Sequence, residues 1–271
     1  LLVQLASICV RKPETDRQGK DIKRMKTFSM TDIGVSREMN QDYLFTSDTA
    51  VGNLPNLYIV ADGMGGHKAG EYASRYTTER VVAYVLRSKD SEPVTILKEA
   101  IQKANELLLI ESKEDESKHG MGTTIVCATI VGSKRFVANV GDSRLYVISD
   151  QIRQITRDHS LVEEMVRMGE MDRKEARQHP DKNIITRAVG ATENVDVDFF
   201  EVDLSEEDTV LLCSDGLTNM VDDASIYRIV KEQKTVEDQV SRLVRVANEN
   251  GGRDNITAVI IRPFLDEVKT C

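Results

Sequence analysis

The chain holds only two Asp-Gly pairs, Asp62-Gly63 and Asp215-Gly216, and each follows a dense apolar run. Asp142 lies in a tight Gly-Asp-Ser-Arg stretch. Asp42, in Asn-Gln-Asp-Tyr, and Asp254, in Gly-Gly-Arg-Asp-Asn-Ile-Thr, each come just before a strand-like segment. Asp-Gly often marks an ordinary turn at the end of a strand. Asp62-Gly63, however, leads into a helical pattern, so a hairpin does not explain it. If the fold brings these five strand-edge carboxylates together, they repel by several kcal/mol per pair at about 4 Å and an effective dielectric near 20. A cation or raised pKa values must then compensate. The donors would be carboxylates, a backbone carbonyl and water, a set that suits Mg²⁺ or Mn²⁺. Glycine after Asp62 lets the main chain come close enough to offer its carbonyl. One carboxylate bridging two ions would make a two-metal site, whose shared water loses its proton near neutral pH. Such a site needs no serine or cysteine nucleophile, and the chain has neither a GxSxG elbow nor an HCx₅R-like loop. Arg37, five residues before Asp42, is either an ordinary surface arginine or a guanidinium that grips phosphate through two parallel hydrogen bonds.

The elements that must position these residues follow from patterning. Thr27 to Ile33 and Tyr43 to Ser47 read as short strands, and Leu57 to Ala61 as a buried one. After the glycine-rich GMGGHKAGE turn, Ala69, Tyr72, Ala73 and Tyr76 share one helical face, and Leu97, Ile101, Ala104 and Leu108 share another. The mixed-charge run Glu111 to Lys118 reads as a solvated helix end or loop. From Thr123 to Thr156 four strands alternate with turn residues at meander spacing. Residues 160–182 break that rhythm as a helical, Met- and Arg-rich insert. Strands resume at Ile184 to Val189, Val197 to Val202 and Thr209 to Cys213. Val236, Val240, Leu243 and Ala247 form the stripe of a last helix that stops at Gly251-Gly252, and Ile256 to Ile261 is the closing strand. Many antiparallel strands with grouped helices predict an α+β fold of two packed antiparallel sheets flanked by helices, with an inserted subdomain at about 160–182. Residues 25–271 read as one domain. Residues 1–24 read as a non-core amino-terminal extension, whether upstream read-through, a fragment edge or an added expression segment.

Composition narrows the function classes. At 40% apolar and 30% charged residues the chain reads as globular. Asp+Glu outnumber Lys+Arg by 45 to 36, a net charge of −9, which disfavours nucleic acid and anionic membranes as partners. The longest clean apolar runs, such as Leu107 to Ile110, are too short to span a bilayer. Cys127 and Cys213 sit inside apolar runs and read as reduced core residues of a cytoplasmic protein.

Eight motifs occur in order: RxxNQD, VADGMGGHxxGExAS, GTT, VGDSRLY, ITRDHS, ITRAVG, CSDGL and RDNIT. Together, from about Lys26 to Arg262, the chain resembles the metal-dependent protein phosphatase family, the PP2C-like serine/threonine phosphatases, in its bacterial form. The resemblance implies an α-β-β-α four-layer sandwich with its site at one end, and hydrolysis of phosphoserine and phosphothreonine by direct attack of a metal-bridging hydroxide, with no phosphoenzyme. It implies a binuclear Mn²⁺ or Mg²⁺ centre with Asp42 and Asp62 as ligands, Asp62 bridging, the Gly63 carbonyl on one ion, and Asp215 and Asp254 completing the set. Asp142 would hold a third, weaker ion. Arg37 matches the phosphate-binding arginine, and residues 160–182 match the flap, which affects substrate choice. Eukaryotic relatives carry a histidine directly after Asp-Gly; here that position is Met64. The nearest histidine, His67, is the candidate general acid, either protonating the leaving alkoxide or orienting a ligand, with a metal-bound water as the other proton source. His159 and His179 read as flap or structural residues, Arg187 as structural, and Thr123 and Thr124 as strand packing. The implied partners are phosphoproteins and a serine/threonine kinase, with the chain a monomer. Two other classes fit less well: a pseudophosphatase that binds without turnover, and a two-metal enzyme acting on small phosphate esters.

Overall fold

The computed structural model describes residues 24–66, 68–205 and 207–265. The amino-terminal extension therefore lies outside the described residues, apart from Arg24. In chain order the elements are β1 (Arg24–Asp32), β2 (Asp42–Ser47), β3 (Leu57–Met64), α1 (Ala69–Val85) and α2 (Pro93–Glu114). There follow β4 (Gly122–Thr123), β5 (Ile125–Val131), β6 (Lys134–Val140), β7 (Arg144–Ile148) and β8 (Ile152–Gln154). Then come α3 (Leu161–Met168), α4 (Arg173–Gln178), β9 (Asp198–Asp203) and β10 (Thr209–Cys213). Last are α5 (Asp215–Thr218), α6 (Asp223–Glu232), α7 (Val236–Glu249) and β11 (Ile256–Leu265).

The strands form two antiparallel sheets. One has five strands in the order β1-β11-β10-β7-β8; the other has six, β2-β3-β5-β6-β9 with β4 paired to β3. α1 packs on β2 and β3, α2 packs on α1 and β6, and α7 packs on β1 and β11. This makes the four-layer α-β-β-α sandwich, and its central strands are apolar on both faces for that reason. In β3, Leu57 and Ile59 face the α1/α2 core, while Tyr58 and Val60 face the core between the sheets. In β10, Leu211 and Cys213 face the α6/α7 core, while Val210 and Leu212 face inward. Continuous apolar runs, rather than strict alternation, are what such doubly covered strands require.

The helices begin at capping side chains. Ser160, Asp172, Asp222 and Thr235 each accept a hydrogen bond from the first turn of α3, α4, α6 and α7. Pro93 opens α2, where its missing N–H costs nothing. Cys127 and Cys213 are buried free thiols. No described helix is long and apolar enough to cross a membrane. One expected strand does not form: Ile184 to Val189 makes only two isolated bridges, Ile185 to Ser160 and Val189 to Thr123. Its backbone groups bond at scattered points, Ile184 to the start of α3 at Leu161, Thr186 to His159 and Val189 to Thr123 of β4, so it returns the insert to the body instead of joining a ladder.

Candidate metal centre

Register builds the centre. Asp42 and Asp62 are directly opposed in the antiparallel β2–β3 pair, so both side chains leave the same face of the sheet. Tyr58 and Val60 on β3, and Leu44 on β2, put that face on the inter-sheet core. The inner face, apolar along most of its length, thus ends in two carboxylates. From the other sheet, Ser214 continues the inward alternation past β10, and Thr257 precedes the inward-facing Val259 on β11. Asp215 and Asp254 sit beside them in sequence.

Both Asp-Gly glycines are fixed by close approach, not by turn geometry. A Cβ on Gly63 would lie 1.9 Å from the Gly70 carbonyl oxygen, and one on Gly216 would lie 1.9 Å from that of Asn255. Gly63 N–H also donates to the Gln41 carbonyl at 3.0 Å, which draws the entry of β2 onto β3.

Asp62 is held at its backbone from both sides. Its N–H donates to Thr124 Oγ1 at 3.0 Å, and its carbonyl accepts from Thr123 Oγ1 and Thr124 N–H, each at 2.9 Å. Thr124 Oγ1 also meets Ser143 Oγ at 2.7 Å, which ties Asp62 to the loop carrying Asp142. Thr123 and Thr124, expected as packing residues, therefore anchor a candidate ligand. Asn255 was also missed, although it lies inside the RDNIT motif. Its amide donates to the carbonyls of Ile33 and Met39, and its Oδ1 accepts from Gln41 N–H, so the loop bearing Arg37 is fastened to Asp254. Arg37 Nη2 donates to Asp254 Oδ2 at 2.7 Å.

Asp42 and Asp142 are buried, while Asp62, Asp215 and Asp254 keep some exposure. Burial pushes the Asp42 carboxyl up to about 7, opposed by hydroxyl donors from Thr257 and Ser214 and reinforced by the charges of Asp215 and Asp254. Burial, then the charges of Asp42, Asp215, Asp142 and Asp254, raises Asp62 well above the carboxylate range. Asp142 is raised by burial, Asp215 and Asp158, against Arg144. Asp215 is raised by burial and Asp254, against Arg144. The five carboxylates share one field.

The donor set fits a hard divalent cation. Asp42 Oδ1, Asp142 Oδ1 and Asp215 Oδ1 are buried with no hydrogen-bond partner. An unmatched buried carboxylate oxygen costs several kcal/mol unless a cation or proton meets it. Among the described residues no group of three or more His, Cys, Asp or Glu side chains is arranged to hold a metal ion by itself. Mg²⁺ and Mn²⁺ keep several waters and take only one or two carboxylates each, and the unmatched oxygens of Asp42, Asp142 and Asp215 are hard donors of that kind. All five aspartates and Gly63 thus come to one end of the sandwich, with Arg37 joined through Asp254. His67 lies outside the described residues.

The insert meets the body beside Asp142. Arg177 of α4 donates to Asp223 Oδ1 at 2.9 Å; Tyr146 O–H donates to the same oxygen at 3.3 Å. Tyr146 in turn accepts from Arg144, which forks onto Asp158. His159 Nδ1 accepts from Gly141 N–H at 2.9 Å, and its Nε2 lies 3.2 Å from Asp198 Oδ2 and 3.1 Å from Arg187 Nη1. Burial lowers its pKa, so it stays a neutral strut under the Asp142 loop.

Residues 23–256 match the family model described as Protein phosphatase 2C. The serine/threonine phosphatase stp of Listeria monocytogenes is 40% identical over 246 residues, covering 88% of this chain and 95% of that protein. The crystal structure of the serine/threonine phosphatase Stp1 from Staphylococcus aureus superposes with a TM-score of 0.82 at 35% identity, covering 96% of this chain and all of the other. The catalytic domain of the serine threonine protein phosphatase PstP, in complex with two manganese ions, gives a TM-score of 0.79 at 28% identity, covering 89% and 99%.

Proposed function

The chain belongs to the protein phosphatase 2C family and is a protein-serine/threonine phosphatase, and from that premise we propose that it hydrolyses phosphoserine and phosphothreonine by direct, metal-assisted attack of water. The observation carrying this reading is the register pairing of Asp42 with Asp62 beside three buried carboxylate oxygens that lack partners. Asp42, Asp62, Asp215 and Asp254, with the Gly63 carbonyl, would hold a pair of Mn²⁺ or Mg²⁺ ions, and Asp142 a third. When bound, the ions supply an acidified water and positive charge for the phosphoryl oxygens.

The chain's own groups do the rest. Arg37 is about half exposed, and Asp254 engages one terminal nitrogen of its fork. Its remaining donors are free to take two phosphoryl oxygens, which orients phosphorus for in-line attack and stabilises charge as the bond breaks. The Thr123–Thr124–Ser143 anchor and the Asn255 fastening hold Asp62 and Arg37 at a fixed spacing, so little reorganisation is needed on substrate entry. His67 is the candidate proton donor to the leaving serine or threonine oxygen. The insert at 160–182 acts as a flap that contributes to substrate choice. We read residues 25–271 as a monomeric cytoplasmic phosphatase domain opposing a serine/threonine kinase, with residues 1–24 outside the core.

The test is turnover of p-nitrophenyl phosphate, phosphothreonine peptides and nucleotides with Mn²⁺ and with EDTA. Peptide hydrolysis that requires Mn²⁺ and exceeds nucleotide hydrolysis is the expected result. Turnover unaffected by EDTA would overturn the metal reading, and preference for nucleotides would overturn the substrate class.

A further inference from the structure

Asp42 receives two hydrogen bonds on one oxygen, both from the opposite sheet. Ser214 Oγ and Thr257 Oγ1 each donate to Asp42 Oδ2 at 2.7 Å. Ser214 and Thr257 are themselves fully buried. Thr257 N–H donates to Ser214 Oγ at 3.0 Å, and Ser214 N–H donates to the Thr257 carbonyl at 3.1 Å, so the two residues are locked to each other.

The contacts close into a ring. Asp42 N–H donates to Asn40 Oδ1 at 3.0 Å, and Asn40 Nδ2 donates to Thr31 Oγ1 at 2.8 Å. Thr31 Oγ1 meets Thr257 Oγ1 at 2.8 Å. Since the Thr257 proton is committed to Asp42, Thr31 is the donor there. Every hydroxyl then donates in one sense around the ring, and the ring ends on a single carboxylate oxygen. Its partner, Asp42 Oδ1, stays buried without a hydrogen bond. Two convergent donors on Oδ2 fix the rotation of the carboxylate, and that fixes where Oδ1 points. A ligand side chain oriented by outer hydrogen bonds keeps its geometry when the ion is absent, and loss of such bonds commonly weakens metal binding by 10–100-fold.

We propose that Ser214 and Thr257 are positioning residues which set the divalent-metal affinity of the centre by orienting Asp42 from across the sandwich. The proposal rests on the metal reading given above. It also means that the ligand is correctly set only when the two sheets are packed together, which couples metal affinity to inter-sheet order.

The test is calorimetric titration of the metal-stripped full chain with Mn²⁺, for wild type, Ser214→Ala, Thr257→Val, the double variant, Thr257→Ser and Thr31→Val. The single losses are expected to weaken binding about 10-fold each and the double on the order of 100-fold. Thr257→Ser, which keeps the hydroxyl, should bind within about 2-fold of wild type. Thr31→Val, which touches the ring but not Asp42, should lose less than Thr257→Val. The rise in Tm on adding Mn²⁺ should shrink in step with affinity. A purely structural role would lower Tm in EDTA yet leave the Mn²⁺ affinity and the Mn²⁺-induced rise intact, and that outcome overturns the proposal. Wild type that binds no Mn²⁺ would instead overturn the metal reading itself, and this inference with it.

Discussion

Substituting Asp62→Asn should make the metal-free protein more stable while destroying its response to metal. Asp62 feels the charges of Asp42, Asp215, Asp142 and Asp254. Directly opposed residues on antiparallel strands hold their Cβ atoms about 5 Å apart. Two unit charges at about 5 Å repel by roughly 3 kcal/mol at an effective dielectric of 20. Solvent reaching the partly exposed Asp62, and proton uptake by Asp42, reduce this to about 1–2 kcal/mol of relief. At 2–4 °C per kcal/mol for a domain of this size, the variant should melt about 2–8 °C above wild type in EDTA at pH 8. The sign depends on pH. Asp42 is raised to about 7, so the folded metal-free chain holds a proton that the unfolded chain releases. Its stability is therefore greatest below the ordinary carboxylate range and falls as pH rises through about 7. At pH 5 Asp42 is protonated in the folded chain, which removes its charge from the pair, and the gap between variant and wild type should narrow. Saturating Mn²⁺ at about 100 times its dissociation constant should add roughly 2.7 kcal/mol to wild type and reverse the order. Differential scanning calorimetry at both pH values, with and without Mn²⁺, reads all of these outcomes. A variant that melts below wild type in EDTA at pH 8 would refute the claim that the carboxylates crowd one another.

Further outcomes follow from the same geometry. Arg37→Ala should raise KM for phosphopeptides at least about 10-fold, since charge-assisted bonds are worth ~1.5–3 kcal/mol, while calorimetric Mn²⁺ affinity changes less; equal losses in both would contradict its assignment to phosphate. Gly63→Ala must displace the Gly70 carbonyl that its Cβ would meet at 1.9 Å, so it should cost about 1–3 kcal/mol in denaturant unfolding. Asp142→Ala should leave the high-affinity Mn²⁺ sites intact in titration and lower turnover. Arg177→Ala, which frees α4 from Asp223, should alter kcat/KM for phosphopeptides while leaving that for p-nitrophenyl phosphate within about 2-fold of wild type, a split that steady-state kinetics resolves.

The layers of the fold were legible because the strands are covered on both faces. Leu57 to Val60 and Val210 to Cys213 announce themselves as unbroken apolar runs. The short helix α5 and the helix α6 were not, since Asp215–Thr218 is a single turn and α6 carries its stripe in only Ile226, Ile229 and Val230. Ile184 to Val189 has strand composition but spends its backbone groups on scattered single partners, which no periodicity reveals. The five aspartates stood out through their glycine neighbours and strand edges. The side chains that hold them did not. Ser214 and Thr257 are distant from Asp42 in sequence, and each passes for an ordinary residue at a strand end until the packing of the two sheets brings them to Asp42, with Thr31 behind Thr257. Arg135 is a buried charge inside an otherwise apolar face. It continues the inner face of β6 past Val137, yet its guanidinium is fully buried without a hydrogen-bond partner.

The most direct measurement is anomalous diffraction at the manganese edge from crystals grown with Mn²⁺. The account predicts two strong peaks bracketed by Asp42, Asp62, Asp215 and Asp254, with Asp42 Oδ1 in contact with one of them. Peaks elsewhere on the surface, or none among these carboxylates, would contradict it.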